Sequence, residues 1–209
     1  MTKKILFLNA FLICLGFMGF SFFIHYPLPL VLLSFAGLAM PAMILSGQIH
    51  SAKDISEIFG LHIPDKIILY ILIGLQLGFI YAMAYRNSIG QRLFPETLTR
   101  FALLASIIGA AEELVFRGFL QYYCKKFHVI FALLFATFSH TAYKCCLFLA
   151  PVNEFRADIL FLVVYTFAGG LLFGILKELS NSILPALAAH AIFDILVYGE
   201  FMSAPWWVW

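Results

Sequence analysis

The sequence predicts an all-α fold, a polytopic membrane helix bundle of about seven transmembrane helices. Three observations carry this. Hydrophobic residues make up 63% of the 209 positions. Charged residues make up 11%, against roughly 25% in a soluble domain. Apolar runs close to the ~20 residues needed to cross a hydrocarbon layer recur along the chain. The length suits one integral-membrane domain over residues 1–209.

The first run, Ile5–Ile24, follows Lys3 and Lys4. It is longer than the ~7–15 apolar residues of a secretory signal and no small-x-small cleavage site follows, so it reads as a retained helix. "HYPLP" joins it to Leu28–Leu45, which predicts an antiparallel hairpin. Residues 46–66, "SGQIHSAKDISEIFGLHIPDK", are mixed and polar, a loop with room for a short interfacial helix. Ile67–Tyr85 is a third charge-free run. Four further candidates follow: Phe101–Cys124, Phe127–Ala150, Ile159–Leu176 and Ser182–Tyr198. Most of these carry polar residues at membrane depth. Helices before residue 90 therefore read as packing, and helices after 100 as chemistry.

Two G-x-x-x-G stretches, Gly74/Gly78 and Gly170/Gly174, place small residues one turn apart, where helix backbones approach closely. Trp206, Trp207 and Trp209 suit an interfacial aromatic belt. Cys14, Cys124, Cys145 and Cys146 show no C-x-x-C spacing and read as free thiols. A net charge of +2 without a basic run argues against a nucleic-acid partner. With the N-terminus inside, Lys3, Lys4, Lys53, Lys66, Lys125, Lys126 and Lys177 fall inside, and Arg86, Arg92, Arg100, Lys144 and Arg156 outside. This is a small margin for an N-inside orientation.

"GAAEELVFRGFL", residues 109–120, sets Glu112, Glu113 and Arg117 inside an oily segment. Unpaired in lipid, three such charges would cost on the order of 8–10 kcal/mol, so they face the protein interior or a water-filled cavity. Glu113 and Arg117 are four apart and share a helix face, where they can pair. Glu112 points about 100° away, with no cation three or four residues from it. A carboxylate kept from cations in apolar surroundings suits a group that takes and gives protons near neutral pH. Two more helices bring ionisable groups: "FATFSH" places His140, and "PALAAHAIFD" places His190 and Asp194 four apart. Asn181 and Ser182 are N-cap candidates for that last helix, with Pro185 in its first turn. No serine elbow and no H-E-x-x-H is present. The set suits water activation by a carboxylate with oxyanion stabilisation by imidazoles. His, His, Glu and Asp are also zinc-ligand types.

These residues resemble the CPBP (Abi) family, the CAAX prenyl proteases and bacteriocin-processing intramembrane glutamic endopeptidases. The family pattern is E-E-x-x-x-R, then F-x-x-x-H, then H-x-x-x-N or D, on successive helices. Glu112-Glu113-x-x-x-Arg117 and His190-x-x-x-Asp194 match, across a core of about 100–195. The middle motif departs, with Ala136 where the family has Phe; Phe135 and Phe138 flank it.

The resemblance implies that Glu112 is general base on the attacking water, with His140 sharing that water. It implies that Glu113 and Arg117 orient the helix, and that His190 and Asp194 attend the oxyanion. Because an ionised aspartate repels an oxyanion, Asp194 is expected to orient His190 through a direct hydrogen bond. The implied protein is a metal-independent hydrolase with no cofactor; a multi-spanning enzyme of this size fits a bacterial or archaeal inner membrane, with a eukaryotic membrane as the alternative. Its expected partners are the bilayer and a membrane-anchored or lipidated protein or peptide substrate, cleaved near a terminus. Two other readings compete: a non-catalytic scaffold or immunity protein on the same fold, and a proton-coupled transporter.

Overall fold

The computed structural model describes residues 3–61, 65–152 and 158–201. Among them every regular element is helical. The order is α1 (Lys3–Phe23), α2 (Val31–Ser46), α3 (Ala52–Phe59), α4 (Ile67–Ser88) and α5 (Arg100–Glu113), which runs into a π-helical stretch, Leu114–Gln121. Then come α6 (Tyr122–Cys124), α7 (Val129–Leu149), α8 (Ile159–Ser180) and α9 (Leu184–Val197). The expected runs fall on these helices to within a few residues. α1, α4, α7 and α8 are each long and apolar enough to cross a membrane; α2 and α9 are shorter apolar helices. Aliphatic side chains such as Ile68 and Leu160 stand 72% and 73% exposed, which suits a lipid-facing surface. Trp206, Trp207, Trp209 and Arg156 lie outside the described residues. All four cysteines are free thiols.

The chain divides into two compact units, Met1–Ile58 with Phe119–Leu171, and Phe59–Gly118 with Leu172–Trp209. In the first, α1 and α2 form the antiparallel hairpin. Gly16 sits against the Pro41 ring, and Gly37 against the backbone of Phe20, so at each contact a glycine on one helix admits the close approach of the other. α1 also packs on α7: Phe7 lies 6.3 Å from Phe131 and 6.2 Å from Phe135, and Phe17 meets Tyr143 edge-on. Helix α3 begins with a capping box. The Ser51 N–H donates to Asp54 Oδ2 at 2.8 Å and the Asp54 N–H to Ser51 Oγ at 3.2 Å.

The second unit is built on α9, against which α4 and α5 both pack. The Gly74/Gly78 pair explains the first contact. A Cβ on Gly74 would strike the Pro185 carbonyl, and one on Gly78 the Ala189 carbonyl. Two glycines one turn apart thus seat two carbonyls one turn apart, the close approach that this spacing permits. Phe173, Leu176, Ala186 and Ala189 form the buried core, with Ile73, Leu77 and Tyr81 packed on it.

Arg86, which the sequence offered only as a loop charge, is 0% exposed and ties the far end together. Its Nε donates to the Arg92 carbonyl at 2.6 Å and its Nη1 to the Leu196 carbonyl at 2.9 Å; its Nη2 pairs with Glu200 at 3.2 Å. A guanidinium here caps the carbonyl end of α9, where a cation is favoured. At the other end, the Ile183 N–H donates to the Phe59 carbonyl at 3.0 Å. The N-cap of α9 is Ile183, not Asn181 or Ser182. Asn181 instead takes a left-handed φ of 51° in the preceding turn, and the Ser182 hydroxyl accepts from the Leu184 N–H at 3.4 Å.

Candidate active site

Five of the six residues singled out in the sequence belong to the second unit, on α5, the π-helical stretch and α9. Glu113 and Arg117 are 0% exposed, and Glu112, His190 and Asp194 are buried with them. The expected i, i+4 pair forms: Arg117 Nη1 stands 3.0 Å from Glu113 Oε1. The same carboxylate oxygen lies 2.8 Å from His190 Nδ1. An oxygen already accepting from a guanidinium is an anion, so the imidazole nitrogen facing it is the donor. Glu113 therefore bridges α5 to α9 and fixes the proton of His190 on Nδ1.

The other imidazole nitrogen, Nε2, faces Asp194 Oδ2 at 3.6 Å. That is ion-pair range and too long for a hydrogen bond. The hydrogen bond that orients His190 is thus made by Glu113, across the helix pair, and not by Asp194 one turn away. Phe173 of α8 lies 5.3 Å from the imidazole, ring to ring, and walls the third side. Glu112, one residue before Glu113 and about 100° around the helix, still interacts electrostatically with His190.

Gly109 makes this convergence possible. A Cβ there would run into Asp194 Oδ2 and stand 2.9 Å from His190 Cδ2. The bare Cα lets α5 lie directly on the His190/Asp194 face. The sequence carried a signal for it, a glycine one turn before Glu113 in an otherwise side-chain-rich helix. Gly118 plays a similar part in the π-helical stretch, where the Phe59 ring takes the place a Cβ would fill. Stretches with i→i+5 bonding are uncommon and recur at functional sites.

His140 is on α7, in the first unit, and is 4% exposed. Its ring lies parallel to that of Tyr143 with centroids 6.3 Å apart. Beside it, Ser139 and Thr141 turn their hydroxyls to the Phe135 and Thr137 carbonyls at 2.7 and 2.9 Å. Ala136 is fully buried, Phe135 stacks on Phe131 at 5.6 Å, and Phe138 packs on Phe167 at 4.9 Å. Among the described residues, no three His, Cys, Asp or Glu side chains are grouped so as to hold a metal ion.

Residues 94–196 match a family described as Type II CAAX prenyl endopeptidase Rce1-like. The matched span contains all six residues, and it bears out the resemblance read from the motifs. The comparisons with curated proteins and with solved structures gave no match. The match and the four long apolar helices together mark an integral membrane protein of the peptidase class.

Proposed function

We propose that this chain, whose residues 94–196 match the Rce1-like family of type II CAAX prenyl endopeptidases, is an intramembrane endopeptidase of the glutamic type. It acts as one membrane domain on a membrane-anchored or lipidated protein or peptide near a terminus. The observation that carries the reading is the double contact made by Glu113. One oxygen of Glu113 serves both Arg117 and His190, at 3.0 and 2.8 Å. Its charge is committed to holding those two groups. Glu112, on the neighbouring face, is the carboxylate to which the resemblance gives the proton taken from water.

The chemistry follows from those placements. Water loses a proton to Glu112 and attacks the scissile carbonyl carbon, giving a tetrahedral oxyanion. His190, with Nδ1–H held by Glu113, offers its Nε2 side to that oxygen, and in the imidazolium form both nitrogens donate. Collapse breaks the C–N bond, and the proton on Glu112 passes to the leaving amine. A donor aimed at a developing oxyanion contributes about 3–4 kcal/mol. The resemblance gives His140 a share in holding the water. Because no water enters hydrocarbon, the cluster must line a cavity, and the substrate backbone must be unwound to reach it.

The test is cleavage of a panel of membrane-anchored peptides by the purified protein in detergent, beside Glu112→Ala, Glu112→Gln and His140→Ala, with and without chelator. The expected result is cleavage lost in each variant and retained with chelator. Full cleavage by Glu112→Gln would remove Glu112 from the mechanism. Loss with chelator would replace the glutamic reading by a metal-dependent one.

A further inference from the structure

Within the first compact unit, three helix ends enclose a cleft. Phe7 of α1 meets Phe127 and Phe131, and Phe17 meets Tyr143, so α1 and α7 run parallel and begin at the same end. α2 runs antiparallel to α1, with Gly16 on Pro41 and Gly37 on Phe20, so its last turn returns to that end. There, between the start of α1, the end of α2 and the chain around α6, lies an open cleft of about 270 Å³. Leu6, Ile13, Leu45 and Leu120 wall it, and Asn9, Gln48 and Tyr123 are its polar members. Lysines stand at its rim. Lys126 Nζ sits 5.0 Å from the centre of the Tyr123 ring. Lys3 precedes Leu6 by three residues on α1, so the two share a face. Both lysines are exposed. The acidic side chains of α3, which follows α2, are committed elsewhere: Asp54 accepts from the His50 and Ser51 N–H groups at 2.9 and 2.8 Å, and Glu57 pairs with Lys53 at 3.7 Å.

We propose that this cleft binds one anionic phospholipid, its phosphate held by Lys3 and Lys126 and the upper part of an acyl chain laid against Leu6 and Ile13. Charge complementarity selects that occupant. α1 and α7 are both long enough to span a bilayer, so their first residues lie at headgroup level. A phosphate at that level meets lysines set above apolar walls, and each lysine near an anionic lipid surface strengthens binding. Stacking on Tyr123 keeps the Lys126 ammonium at the rim with its charge intact. The Asn9 and Gln48 amides match the ester and glycerol oxygens of such a lipid. Ligand pockets usually hold about 300 Å³ or more, so the cleft takes part of the lipid. The rest lies along the side of α1 that carries Ile5 and Leu8, 47% and 53% exposed. A free phosphate would satisfy the lysines and leave the apolar walls bare.

The test is native mass spectrometry of the detergent-solubilised protein titrated with dioleoyl phosphatidylglycerol, dioleoyl phosphatidylcholine or inorganic phosphate. Expected is one phosphatidylglycerol per chain, bound about 25-fold more tightly than phosphatidylcholine, at about fivefold for each lysine. Inorganic phosphate should not displace it. Lys3→Gln combined with Lys126→Gln should abolish the preference and leave the thermal midpoint unchanged, since both side chains are exposed. Lys144→Gln, near the other end of α7, should leave the preference intact. Gln48→Trp, which fills the cleft from a half-buried position, should weaken both lipids. Equal affinity for the two lipids, or an equal loss of preference in Lys144→Gln, would overturn the proposal in favour of diffuse charge. Displacement by inorganic phosphate would reduce the site to one for the free anion. Binding to Gln48→Trp at wild-type strength would take the lipid out of the cleft, and the proposal would fail.

Discussion

Replacing Arg117 by methionine isolates the electrostatics of the cluster, because methionine fills much of the same space without charge. Arg117 and Glu113 are both 0% exposed and 3.0 Å apart. Removing one partner of a buried pair costs about 3–5 kcal/mol, since the other charge stays in apolar surroundings. His190 stands on the same Glu113 oxygen at 2.8 Å and retains part of the stabilisation. The loss then falls at the lower end, about 3 kcal/mol. Adding Glu113→Gln removes the stranded charge, so the double variant should lie within about 1–2 kcal/mol of wild type. The coupling between the two sites is then at least about 1 kcal/mol, beyond the few tenths expected of independent sites. Reversible unfolding in mixed detergent micelles, with the denaturing detergent fraction as the variable, measures all four corners of the cycle. A loss below about 1 kcal/mol for Arg117→Met, or strict additivity, would refute the claim that Glu113 is held as an anion.

Three other outcomes follow from the same geometry. Gly109→Ala puts a Cβ into Asp194 Oδ2, so it should lower stability by about 1–3 kcal/mol and cut cleavage more than tenfold; the thermal midpoint and a single-turnover assay check both. Arg86→Met removes donors to the Arg92 and Leu196 carbonyls and the pair with Glu200. It should lower stability by about 2–4 kcal/mol while leaving the cleaved bond unchanged, as unfolding and product mass would show. In the loop before α3, the His50 N–H and the Ser51 hydroxyl hold the Asp54 carboxyl below its ordinary range. That cap is fully present above the ordinary carboxylate range and is lost as pH falls through the lowered midpoint, which a carbon-detected NMR titration of Asp54 would place below that of a model aspartate.

Periodicity and hydropathy made the helices legible because lipid leaves so few alternatives: an apolar run of this length satisfies its backbone as a helix. The Gly74/Gly78 spacing likewise announced a close helix contact, and the structure supplies its partner in Pro185 and Ala189. Local geometry also gave the Glu113–Arg117 pair. What the sequence withheld was everything that depends on register between helices. His190 is four residues from Asp194, which suggested that pair, yet its hydrogen bond goes to Glu113, 77 positions away. Only the antiparallel seating of α5 on α9, admitted by Gly109, brings those two together. Arg86 was hidden for the same reason, since its partners Leu196 and Glu200 lie more than a hundred residues away. The π-helical stretch Leu114–Gln121 had no breaker to mark it; it contains Gly118, which admits the Phe59 ring.

Two neighbouring glutamates can do different work only if their surroundings differ, and here one bridging oxygen makes the difference. Consecutive residues on a helix point about 100° apart, so Glu112 and Glu113 cannot both face α9 squarely. Glu113 faces it and accepts from Arg117 and His190 together. A carboxylate oxygen receiving two charge-assisted bonds is a poor proton acceptor, because protonation would break them. Its remaining effect is exerted through His190. It holds Nδ1 protonated and so decides that Nε2 is the nitrogen presented toward Asp194. On the proposed reading, Glu113 shapes the electrophilic side of the reaction and Glu112 the nucleophilic side. The adjacent pair is then a device for building two opposed functions from one helical turn, with the arginine four residues on choosing which glutamate does which.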